Sequence, residues 1–199
     1  MESTKWATGI NIIGWLRSDG RSRPTKERQG KSRHRGRIRN NGGELQRREG
    51  TRMYQINMYL ETSIRGVRRS TGWYGYMLEY IDGRGEPHTI EDYGREEDVT
   101  PNQLALMGFL TALNRVNKDS EITVFTDSLY LRGSYTRDLQ SWKENGWKTS
   151  KGDEVKNKLL WQQVSKKTVR HVIRFDPAHQ HSYKNYLVAE LMRRKKEQS

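Results

Sequence analysis

The chain has no cysteine and only four prolines among its 199 residues. Without cysteine there are no disulfides, no thiolate metal sites and no cysteine nucleophile. Apolar residues are scarce, at 32% of the total, so part of the chain cannot be well buried. No apolar run approaches the roughly 20 residues that a membrane-spanning helix requires. Ile10–Leu16 is too short, and too closely followed by charge, to be the core of a secretion signal. These absences point to a soluble, cytoplasmic protein with no membrane partner.

Acidic residues are also in short supply, 24 Asp+Glu against 37 Lys+Arg, giving a formal net charge of +13. An excess of that sign implies a polyanionic partner, RNA or DNA before others. The excess is local. Residues 1–52 carry 14 Lys+Arg and 5 Asp+Glu, whereas residues 53–199 carry 23 and 19. Residues 17–52 are Gly, Ser, Arg and Asn with almost no apolar periodicity, too little to offset the entropy of ordering. Residues 1–52 therefore read as a disordered basic arm. It is either a salt-sensitive clamp on nucleic acid or a solubilising leader ahead of a start at Met53.

From Met53 the pattern is that of one globular domain, 53–199. Tyr54–Leu60 alternates as a strand, Thr71–Tyr80 is rich in aromatics and β formers, and His88–Tyr93 is a shorter third strand. Asp82-Gly83 and Gly85 supply a hairpin turn between the last two. Thr100-Pro101 opens a helix to Val116, with Leu106, Met107, Leu110 and Leu113 at helical spacing. Glu121–Thr126 reads as a buried strand. Two or three helical segments follow, the clearest over Asp153–Ser165, then a strand over Thr168–Phe175 and a helix over Ser182–Lys195. The order β-β-β-α-β-α-α-β-α predicts an α/β fold, a five-stranded mixed sheet with helices on its faces.

Local sequences narrow that order. Tyr59-Leu60-Glu61-Thr62-Ser63 resembles the first-strand Tyr-Thr-Asp-Gly-Ser of type 1 ribonuclease H, and Gly72–Tyr80 resembles its second strand. Thr100-Pro101-Asn102-Gln103-Leu104-Ala105-Leu106 stands where the family has Thr-Asn-Asn-Arg-Met-Glu-Leu, and Thr126-Asp127-Ser128 matches its Thr-Asp-Ser. Trp142–Thr149 is similar to the family's basic handle, and Val155–Asn157 with Leu160-Trp161 to the helix after it. His179 falls at its His loop, and Asn185 with Glu190-Leu191 in its closing helix. The resemblance runs over Met53–Arg194 and implies the ribonuclease H-like fold. The Trp-Lys handle and the short interval from Asp127 to Trp161 set it apart from transposase- or integrase-like relatives of that fold.

The chemistry of such a site rests on two Mg²⁺ ions about 4 Å apart that activate water and stabilise the leaving oxygen of a phosphodiester. Hard cations need oxygen ligands, which the family supplies as four carboxylates. Here the resemblance gives Glu61 the bridging position and Asp127 the position after the fourth strand, as catalytic and metal residues. Ala105 and Ala189 replace the other two carboxylates. One ion would keep Glu61 and Asp127, the other Glu61 alone, so two-metal cleavage should be weak. Glu190 adjoins Ala189 but is rotated by about 100° around the helix and should not substitute.

His179 is the implied general acid/base, since imidazole titrates near neutrality. His181 reads as part of a polar surface loop, with a ligand for a softer ion such as Mn²⁺ as the other reading. Asp176 and Glu79 read as solvated or edge-packed carboxylates. The resemblance further implies nucleic-acid contacts at Asn102, Ser128, Trp142, Lys143, Trp147, Lys148 and Lys156, with Trp142 the more core-like tryptophan. Two functions follow. One is a metal-dependent endonuclease, a hydrolase cutting the RNA strand of RNA/DNA hybrids with magnesium or Mn²⁺. The other is an inactive fold member that binds hybrid or duplex, in either case as a monomer.

Overall fold

The structure, a computed structural model, describes residues 53–178 and 180–198. The basic arm and His179 lie outside the described residues. Five strands form one sheet in the order β3-β2-β1-β4-β5. They are β1 (Tyr54–Thr62), β2 (Ser70–Ile81), β3 (Pro87–Val99), β4 (Ser120–Thr126) and β5 (His171–Phe175). β1 pairs antiparallel with β2 and parallel with β4, so the predicted mixed sheet is the observed one.

Helix α1 (Pro101–Arg115) starts where the sequence predicts, at a capping box. The Thr100 hydroxyl accepts the Gln103 N–H at 3.2 Å while the Gln103 side chain accepts the Thr100 N–H at 3.0 Å. Its apolar stripe, Leu104, Leu106, Phe109 and Leu113, packs on Met58, Leu60, Tyr76 and Leu78 of the sheet. Gly108 is what permits the close approach, because a Cβ there would sit 2.8 Å from a methyl of Leu60. Helix α4 (Lys158–Thr168) joins the same core through Trp161 and Val164, both fully buried. Helix α5 (Lys184–Glu197) lies against the opposite sheet face, where Leu187 packs with Tyr59 and Met77.

Between β4 and α4 the chain forms α2 (Leu129–Gly133), a π-helical turn over Ser134–Asp138, and α3 (Leu139–Glu144). α4 begins five residues after the predicted start. Asn157 adopts φ 60°, and Lys148 bridges to Glu154 in an extended segment, so residues 153–157 cannot be helical. β5 is correspondingly shorter, since α4 continues through Thr168. β3 is longer than expected. It is an edge strand whose pairing with β2 extends through Arg95 and Glu96, charged residues that carry no apolar alternation.

Candidate functional site

The site follows from strand register. Leu60 of β1 stands opposite Thr126 of β4, so the next residue along each strand is an acid, Glu61 and Asp127. Side chains alternate across a sheet, which puts Glu61 on the face where the rings of Tyr59 and Phe125 stack at 4.8 Å, while Asp127 directly follows the end of β4. Glu61 is buried to 1% exposure, while the Asp127 side chain is 29% exposed.

A carboxylate buried that deeply is costly unless cations or donors face it. Three groups do. His181 Nε2 lies 3.2 Å and Lys184 Nζ 3.9 Å from Glu61 Oε1. Arg65 Nη2 lies 3.8 Å from Glu61 Oε2 and 3.2 Å from Asp127 Oδ2, bridging the two acids. Glu61 Oε2 nonetheless accepts no hydrogen bond among the described residues.

His181 is not on a surface loop. Its side chain is 2% exposed, with its ring 5.0 Å from that of Tyr59 and 6.3 Å from that of Phe125. The reason is Tyr183, which packs 4.9 Å from Tyr59 and donates its hydroxyl to Glu79 at 2.8 Å, pulling the loop onto the sheet. Glu79 also accepts from Asn57 at 3.0 Å and from Tyr59 at 3.3 Å. Burial, with the charge of Glu79 second, pushes the Tyr59 phenol up to about 12. The hydrogen bond to Glu79 raises that of Tyr183. Glu79 thus fastens the loop, and Asp176 accepts the Ala178 N–H at 2.7 Å in the turn after β5.

Ala105 is buried on α1 and lines a cleft of about 290 Å³ together with Arg65, Asp127 and Ser128. Ala189 is exposed on α5. Glu190 turns to its own helix, pairing with Arg193 at 2.8 Å, and that hydrogen bond holds its carboxyl below the usual range.

A two-ion centre needs a set of hard oxygen ligands converging on one place. Among the described residues no group of three or more His, Asp or Glu side chains is placed to hold a metal ion. His181 faces Glu61 with its Nε2, and its buried Nδ1 has no hydrogen-bond partner among the described residues. The acids already face Arg65 and Lys184. Two carboxylates that already face two cations do not fit two divalent ions.

Sequence reasoning did not single out Arg65 or Lys184. Arg65 follows Glu61 by four residues, outside helix and strand, and nothing local signals that its side chain turns back.

The residues predicted to contact nucleic acid fall in two places. Asn102 and Lys156, both exposed, line a groove of about 440 Å³ with Arg69, Tyr130 and Asn157. It adjoins the cleft beside the acids, sharing Asn102 and Tyr130 with it. Ser128, on the cleft wall, caps α2 by accepting the Leu131 N–H at 3.2 Å. In the handle, Trp142 packs edge-on against Trp161 at 5.7 Å and Trp147 is half-buried on the same core, while Lys143 and Lys148 are exposed.

The fold and site can be set beside known proteins. The ribonuclease H of Francisella tularensis subsp. novicida is 37% identical over 117 residues, covering 59% of this chain and 73% of that protein. Among solved structures, LC9-RNase H1, described as a type 1 RNase H with the type 2 active-site motif, aligns with TM-score 0.61 and 23% identity over 74% of this chain and 75% of its own. A foamy viral protease-reverse transcriptase in complex with RNA/DNA hybrid aligns with TM-score 0.56 and 16% identity over 90% of this chain and 25% of its own. These two share the fold. The RNase H family model matches residues 53–197, from the first strand into the last turn of α5. A match of that extent, beyond any single motif, makes this chain a member of the ribonuclease H family.

Proposed function

We propose that this domain holds nucleic acid, RNA/DNA hybrid or duplex, in the cleft and groove beside Glu61 and Asp127, without efficient two-metal cleavage. The observation that carries this reading is the Arg65 guanidinium bridging the two acids, 3.2 Å from Asp127 and 3.8 Å from Glu61, so that a cation of the chain already faces both. Alanine at 105 and 189 points the same way. The binding side is supported by the exposed Lys143, Lys148 and Lys156, whose ammonium groups suit phosphates, and by Asn102, whose amide suits base edges or sugar hydroxyls. The foamy viral neighbour's hybrid complex makes hybrid the first ligand to try.

A second reading, slow metal-dependent hydrolysis of the RNA strand, is favoured by one observation. Glu61 Oε2 is a buried acceptor without a donor, the kind of atom that a cation satisfies. In that reading His179 is the general acid/base.

Fluorescence anisotropy with labelled hybrid, duplex DNA and single strands tests binding. Parallel incubation in Mg²⁺ and in Mn²⁺ with wild type and Asp127→Asn tests cleavage. Hybrid or duplex bound and left intact is expected. A metal-dependent cut that Asp127→Asn abolishes would replace the first reading with the second, and failure to bind either ligand at low salt would overturn both.

A further inference from the structure

We infer that Arg65 takes the place of a metal ion in this fold: one edge of its guanidinium neutralises Glu61 and Asp127, and the other receives the phosphodiester of bound nucleic acid. The inference rests on the binding reading above and names the group that contacts the backbone at the acid site.

Charge is the first argument. Glu61 and Asp127 without cations would present two negative charges to a polyanion. Arg65 and Lys184, within 3.9 Å of them, bring these four groups to neutrality. A phosphate can then approach without a divalent ion between it and the acids.

Geometry is the second. A guanidinium has five N–H donors in a planar fork. Arg65 directs Nη2 at the acids, and because Nη2 carries two hydrogens, one of the two guanidinium forks that include it can face the acids while the other faces outward. The side chain is 60% exposed and lines the cleft whose wall includes Ala105 and Ser128. With alanine at 105, Asp127, which Arg65 faces at 3.2 Å, is the one carboxylate among the residues that line this cleft. Guanidinium pairs with phosphate oxygens through two parallel hydrogen bonds, a geometry that an ammonium cannot reproduce.

The unpartnered Oε2 of Glu61 is the third and independent observation. Its nearest cation is Arg65 at 3.8 Å, beyond hydrogen-bond reach. A small shift of the guanidinium toward the acids when a phosphate docks on its outer edge would satisfy both.

The test is anisotropy with a labelled RNA/DNA hybrid, titrated in EDTA and in Mg²⁺ across a series of salt concentrations. The proteins are the full-length wild type, Arg65→Lys and Arg65→Ala, each checked by thermal melting. Wild type should bind equally well in EDTA and in Mg²⁺. Arg65→Ala should bind about tenfold more weakly in EDTA, with the salt slope reduced by about one, and should regain part of that loss when Mg²⁺ occupies the freed acids. Arg65→Lys should fall between them. Tightening of wild type by Mg²⁺ would overturn the inference. So would unchanged affinity and slope for Arg65→Ala while wild type binds hybrid. A wild type that binds no hybrid at all would instead remove the binding reading, and this inference with it.

Discussion

His181 Nε2 sits 3.2 Å from Glu61 Oε1, a contact across 120 residues of chain that seals a buried acid. His181→Ala should remove the nearest donor to that carboxylate and open a void beside Tyr59 and Phe125, costing about 3 kcal/mol in urea unfolding. With Glu61→Gln as the second change, the double variant should lose less than the sum of the single losses. Strict additivity would mean that the contact carries no coupling energy.

The misfit to metal is open to direct measurement. Isothermal titration of wild type with Mn²⁺ should give no site-specific heat. A variant combining Arg65→Ala, Ala105→Glu and Ala189→Asp should bind Mn²⁺, because it withdraws a cation and returns two hard ligands to the cleft wall and to α5. Saturable Mn²⁺ binding by wild type that Asp127→Asn abolishes would contradict the reading of Arg65 and Lys184 as the resident cations.

The handle lysines should act on affinity without sequence preference. Lys143→Ala and Lys148→Ala, both at exposed positions, should each weaken hybrid binding severalfold and lower the salt slope by about one. A slope that does not move would take these side chains out of the interface.

Trp161 couples the core to the groove. Its indole is fully buried, and its N–H donates to the Tyr130 hydroxyl at 3.0 Å, which also accepts from Asn157 at 3.2 Å. Trp161→Ala should cost about 3–5 kcal/mol. Tyr130→Phe, which removes an acceptor from two donors, should cost about 1–2 kcal/mol. Chemical denaturation reads both.

Acid should weaken the fold partly through His171, on edge strand β5. Burial first, then Arg170, lowers its imidazole from the ordinary value of 6.5. The unfolded chain therefore takes up a proton at a higher pH than the folded one. The contribution of His171 is fully present above about 6.5 and is lost as pH falls from there toward the folded value. Urea midpoints between pH 5 and 8 should fall less steeply for His171→Gln than for wild type, and identical slopes would refute the assignment.

Much of the fold was legible in sequence because local chemistry and packing agree. The capping box at Thr100 set the start of α1, and the alternation of Tyr54, Ile56 and Met58 marked β1. The boundaries that shifted are those without local apolar signal: β3, whose charged residues suit an edge, and α4, delayed by the left-handed Asn157. Glu61 and Asp127 were legible because Tyr59–Ser63 and Thr126–Ser128 resemble the family's motifs, and parallel register, which brings the residues after Leu60 and Thr126 level, then places them side by side.

The sequence by itself determined the family, put alanine at 105 and 189 where the resemblance expects carboxylates, and gave the basic balance that suits a polyanion. Only tertiary structure decided what stands against the remaining acids. Tyr59, Phe125 and Tyr183 stack to draw His181 inward, the start of α5 delivers Lys184, and the turn after β1 folds Arg65 back. These partners come from segments up to 123 positions from Glu61. Ion pairing in a buried site depends on distance in space and on desolvation, and neither is written in the spacing of residues along the chain.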